Sequence, residues 1–199
     1  MNKLTRAQVK ATIHPCDGAA VIPAHGGVAQ RGIQWWTGKA CHFLCLKGGL
    51  AVTEEDIGGC MATDLDSYMK GTCSLTILRV MPPLSAHEER LVLDFWESEV
   101  ATPYGTGSVV RAFFATPIRR RVVPRFPRLG RFLLRVLARV MGHQAPDCSA
   151  LWVMGIRKAR PGLLKGYDAE DVTPEIILRD ASKLMHVIHW DRPVLVKGS

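Results

Sequence analysis

The sequence predicts a single α+β domain built on an antiparallel sheet with helices packed against it. Three observations lead there. Apolar runs bounded by glycine and proline turns recur in the first half and again near the C-terminus. Helical periodicity of 3.6 residues dominates the stretch between them. The chain has 199 residues, 47% hydrophobic and 22% charged, which suits one soluble domain with a real core.

The elements follow in order. "HPCDGAAVIPAHGG" predicts a short strand bounded by turns, and Val28 to Gly38 a short helix closed by glycine. Ala40 to Leu46, "ACHFLCL", suits a buried strand. Gly48-Gly49 predicts a hairpin turn, with "LAVTEE" as the returning strand. "DLDSYMKG" reads as a turn of helix or a loop. Thr72 to Pro83 predicts a third strand, stopped by two prolines that cannot join a ladder.

Ser85 with Glu88 three residues on forms a capping box, so "SAHEERLVLDFWESEV" is the clearest helix. Arg128 to Met141 is amphipathic: Leu129, Phe132, Leu133, Val136, Leu137, Val140 and Met141 share a face opposite the arginines. Asp147 is a good N-cap for a further helix that begins at Cys148. Thr173-Pro174 starts a short helix, and Leu184 to Trp190 is a last strand.

The formal net charge is +8, with Arg119, Arg120, Arg121, Arg125, Arg128, Arg131, Arg135 and Arg139 in one stretch free of acidic residues. The charge describes that segment rather than the whole surface, and it invites a polyanionic partner. An interfacial helix for anionic membrane or an envelope polymer is one account. An ordinary surface helix with its apolar face in the core is the simpler one. Nucleic acid is not expected, because aromatics are few there and no named nucleic-acid motif appears. The N-terminus has no apolar signal segment and no run is long enough to span a bilayer, so cytoplasmic synthesis with peripheral membrane association is the expected localisation.

The six cysteines, Cys16, Cys41, Cys45, Cys60, Cys73 and Cys148, belong to a chain too long and apolar to need a disulfide framework. Cys41, His42 and Cys45 are neighbours, but their spacing is not that of a zinc site, so no metal or other cofactor is expected. Cys148 stands apart. At the first position of a helix, unsatisfied N–H groups and the macrodipole favour a thiolate and could hold an oxyanion. A small buried cysteine is the plain alternative. A nucleophile needs a base. Of seven histidines, four lie in loops or at helix ends and two near the C-terminus, while His42 lies inside the apolar strand Ala40 to Leu46, where its ring nitrogens need partners. The hairpin brings Glu55 opposite His42 with a two-residue loop and Glu54 with a three-residue loop.

These residues carry a resemblance. "DCSALW" resembles the nucleophile motif of the NlpC-type cysteine hydrolases, and "GIQWWTGKACHF" is similar to the stretch around the histidine in their circularly permuted, papain-like branch. "LAVTEEDIGGC" resembles the segment bearing the third polar residue, "TPEIILRDASKL" the tail after the nucleophile helix, and "PYG" at Pro103 to Gly105 a tyrosine element. The resemblance spans about residues 28 to 188, and the order of its short motifs is its specific part. Ala150 and Glu55 depart from the common pattern, and the interval from Tyr104 to Cys148 is longer than usual.

The resemblance implies a permuted papain-like fold over residues 1–199 with an arginine-rich helical insertion at about 119–142. It implies a Cys148–His42–Glu54 triad, with Glu55 a rival for the third place and Tyr104 supporting the oxyanion. The activity implied is that of a thiol peptidase or amidase acting through a thioester, on cell-wall peptides among other substrates. An acyltransferase on lipid or amine acceptors is the alternative, and a non-enzymatic module that kept the fold is the rival class.

Overall fold

The structure, a computed structural model, describes residues 6–23, 42–48, 51–56, 59–70, 73–102, 114, 118–141, 148–164, 167–169, 172–181 and 185–190. The element order is α1 (Arg6–Thr12), β1 (Gly18–Pro23), β2 (His42–Gly48), β3 (Ala51–Asp56), β4 (Gly59–Asp64), α2 (Leu65–Lys70), β5 (Cys73–Val80) and α3 (Ala86–Glu99). A π-helical turn (Ile118–Val122), α4 (Pro127–Met141), α5 (Cys148–Ala159), α6 (Pro174–Ala181) and β6 (Met185–Trp190) complete it. The fold is α+β, as expected. The predicted helix at Val28 to Gly38 lies outside the described residues.

Among the described residues, six strands form one sheet in the order β4-β3-β2-β1-β5-β6, with every pair antiparallel. Helices cover both faces, so alternate residues of each central strand serve two apolar layers. Ala20, Phe43, Cys45, Leu78 and Val80 meet Val92 and Trp96 of α3, Leu151, Trp152 and Ile156 of α5, and Ile177 of α6. Ala19, Val21, Leu44, Leu46, Leu75 and Ile77 meet Val9 and Ile13 of the α1 region and Leu65 and Met69 of α2. The register ties these sets together: Ala20 lies opposite Phe43, Ala19 opposite Leu44, and Val21 opposite His42.

The helix starts obey local chemistry. Ser85 Oγ accepts the Glu88 N–H at 3.3 Å, and the Glu88 carboxylate accepts the Ser85 N–H at 2.8 Å, completing the capping box. Arg160, just past α5, donates from Nε to the same carboxylate at 3.1 Å and from Nη2 to the Pro83 carbonyl at 3.0 Å. That guanidinium, with the Ser85 N–H, holds the Glu88 carboxyl down at about 2. Thr173 Oγ1 caps α6 by accepting the Ile176 N–H at 3.3 Å.

Trp96 joins α3 to α5. Its indole Nε1 donates to the Leu151 carbonyl at 3.1 Å, and the ring lies over Gly155. A second clasp joins the turn before β1 to β5. Arg79 donates from Nε to Asp17 Oδ1 at 2.9 Å and from Nη2 to Oδ2 at 2.8 Å, and it also reaches the Thr12 carbonyl. Asp17 further accepts the His14 N–H at 2.9 Å, so its buried charge is fully bonded.

The amphipathic helix departs from the simpler expectation. α4 spans Pro127–Met141, but Leu129, Phe132 and Val136 are exposed rather than buried in the core. The physical reason is position. Among the described residues, α4 packs chiefly on the 118–122 turn, which is itself arginine-rich and peripheral to the sheet.

Candidate functional site

Cys148 is the first residue of α5. Its thiol is half-buried and free, while Cys16, Cys45, Cys60 and Cys73 are buried. The helix start is held in place from two sides. Ser149 Oγ donates to the Val172 carbonyl at 2.6 Å, tying the first turn of α5 to the segment that leads into α6. One turn on, Trp152 packs on Phe43 with ring centroids 5.3 Å apart and donates from Nε1 to the Cys16 carbonyl at 3.3 Å. These contacts fix the sulfur on the α3/α5/α6 side of the sheet, where the first-turn N–H groups also lie. Ser149 was not among the site residues expected from the sequence. A serine within an otherwise apolar helix start was the available signal.

His42 is placed differently from expectation. It opens β2 opposite Val21, and its ring stacks on Tyr68 of α2, with centroids 6.1 Å apart and planes 25° from parallel. Tyr68 packs against the α1/α2 layer. Cys148 packs against the other layer. The sheet therefore lies between imidazole and thiol, and the expected Cys148–His42 pair is not formed. The reason is the two-residue period of the strand. Phe43 and Cys45 turn toward α5, so His42, Leu44 and Leu46 must turn away.

The third residue is also shifted. Thr53 lies opposite Cys45, the last described pair of this ladder; continued in register, Glu54 would fall level with Leu44 and Glu55 with Phe43. Neither glutamate is level with His42, as either turn length had predicted. On their other side Glu54 pairs with Met61 and Glu55 with Cys60. Tyr104 and Asp147 lie outside the described residues, as do Cys41, Gly49 and Leu50.

A second constellation of reactive types lies at the His14–Asp17 turn, in a shallow cleft with Arg79, Leu84 and Glu89. Burial, with the Glu89 and Asp17 charges adding to it, pushes the Cys16 thiol up to about 12. It is a neutral thiol near neutral pH, directed at the Glu89 carbonyl at 3.6 Å. The arrangement suits a structural clasp, not a nucleophile.

No group of three or more metal-ligating side chains occurs among the described residues. Among them, too, no helix is long and apolar enough to cross a membrane. No family model and no curated protein matches the chain.

Proposed function

We propose that this protein is a thiol-dependent acyl-transfer enzyme, a cysteine hydrolase of the permuted papain-like kind, with Cys148 as its nucleophile. The observation that carries this reading is the position of Cys148: the first residue of α5, half-buried while four other cysteines are enclosed. In this reaction the deprotonated sulfur attacks an amide or ester carbonyl carbon. First-turn N–H groups of α5 hold the oxyanion. The thiol proton, released to solvent on ionisation, is returned from solvent to the amine or alcohol as its bond to the carbonyl carbon breaks, and the resulting thioester is resolved by water in a hydrolase or by an amine or alcohol in a transferase. Peptides, peptidoglycan stems and acyl-lipids all present such a carbonyl. With its ring resting on Tyr68, His42 would have to move to receive the thiol proton.

A second reading, a non-enzymatic module that kept the fold, is favoured by one observation: the His42 ring rests on Tyr68, across the sheet from the thiol. One experiment separates the two. The protein is mixed with an activated ester at pH 6, and acylated species are followed by intact mass and peptide mapping. The enzyme reading expects one acyl group on Cys148, turning over with time and lost in Cys148→Ala. Acylation absent, or spread over several cysteines at a slow uniform rate, supports the module instead.

A further inference from the structure

The α4 helix carries an exposed apolar strip that the proposed chemistry does not use. Phe126 is 60% exposed, Leu129 50%, Phe132 58% and Val136 40%. At about 100° per residue, Leu129, Phe132 and Val136 fall within one narrow sector of the helix. The side toward Leu133, Leu134 and Leu137 is half-buried, and Gly130 is buried against the preceding turn. A Cβ on Gly130 would come within 2.5 Å of Val123 Cγ2 and 2.9 Å of its Cα, so glycine is what lets α4 lie this close to its support. The third side belongs to arginine. Arg128 and Arg131 are exposed there, and Arg135 and Arg139 continue the same helical positions.

We propose that α4 docks in the surface of an anionic lipid bilayer, apolar strip inward and arginines at headgroup level. Charge decides the occupant. From Val100 to Pro146 the sequence has no Asp or Glu, while Arg121, Arg125, Arg128 and Arg131 all stand exposed. A second copy of this helix would bring two uncompensated cationic faces together, which like charges oppose. An anionic headgroup layer satisfies both sides of the helix at once, since guanidinium groups lie at phosphate depth while phenyl and leucyl groups enter the acyl boundary. Fifteen residues of helix reach about 22 Å, short of a span, so α4 lies along the surface instead of crossing it.

The test is vesicle flotation of the full chain, with phosphatidylcholine alone and with 30 mol% phosphatidylglycerol, at about 0.1 and 0.5 M salt. The anionic vesicles are expected to bind at least tenfold more strongly, with binding falling at high salt. Arg128→Gln with Arg131→Gln is expected to weaken binding roughly thirtyfold, a factor of about five for each charge. Leu129→Ser with Phe132→Ser is expected to weaken it on the order of tenfold or more. The four side chains are exposed, so both double variants should melt with the parent, which separates lost docking from lost folding. Cys148→Ala should bind as the parent does, so failure of the acyl-transfer reading leaves this result standing. Equal binding to neutral vesicles overturns the proposal. So does lipid-free dimerisation that Leu129→Ser with Phe132→Ser abolishes, which assigns the strip to a second copy. Binding to a soluble polyanion such as heparin, unchanged by the apolar variants and without vesicle binding, overturns it as well.

Discussion

Replacing Gly155 by alanine tests the join between α3 and α5, on which the placement of Cys148 depends. The added Cβ would lie 2.1 Å from Trp96 Nε1 and 2.8 Å from Cδ1 and Cε2. Ordinary contact needs about 3.5 Å or more, so the indole or the helix must move by more than 1 Å. Trp96 is fully enclosed and has no vacant side to move into. Overpacking of this kind costs about 1–3 kcal/mol. The displaced Nε1–H also loses the Leu151 carbonyl, and a buried donor left unmet costs about 1–3 kcal/mol. Alanine returns about 1 kcal/mol through helix propensity. The net loss is about 1–5 kcal/mol, a fall in melting temperature of roughly 2–20 °C for a chain of this size. Thermal unfolding followed by circular dichroism measures it. Trp96→Phe removes both the closest clashing atom and the donor, so the double variant should be more stable than the two single losses predict, by about 1–3 kcal/mol. A Gly155→Ala protein that melts within 2 °C of the parent, or above it, refutes the close-contact account.

The Asp17–Arg79 clasp should behave as a buried ion pair. Arg79→Leu strands a buried carboxylate and should cost about 3–5 kcal/mol in a urea titration, much of it recovered when Asp17→Asn is added; a cost under about 1 kcal/mol would contradict the geometry. Cys16 predicts an alkaline limb of stability. Its thiol is protonated in both states below pH 9; as pH rises, the unfolded chain releases the proton first, while the folded chain keeps it up to about 12. Stability therefore falls across that window, and Cys16→Ala should lessen the fall. An unchanged slope in that variant would count against the buried-thiol account.

Much of the architecture was legible in local chemistry. The capping box at Ser85 and Glu88, the Thr173-Pro174 start and the Cys148 helix start are short-range features, and each formed where the residues called for it. The β1, β2, β3 and β5 strands were visible as apolar runs between turns. β4 and α1 were not. "GCMATD" carries no strong alternation, and α1 is a seven-residue helix whose main apolar signal is Val9. The 118–122 turn was also unreadable, since proline and three successive arginines suggest no regular element.

The candidate site divides along the same line. The sequence alone determined that Cys148 opens a helix, that His42 sits in a strand and that an acid-free arginine segment separates the sheet-forming halves, because propensity, capping and composition act over a few residues. It determined too that His42 shares a strand side with Leu44 and not with Phe43. Only the tertiary structure decided which side receives α5. That choice depends on Phe43 meeting Trp152 and on Tyr68 meeting His42, contacts between segments roughly 110 and 26 residues apart. It also decided that the apolar strip of α4 faces solvent, since an amphipathic pattern specifies a face to be covered but not what covers it.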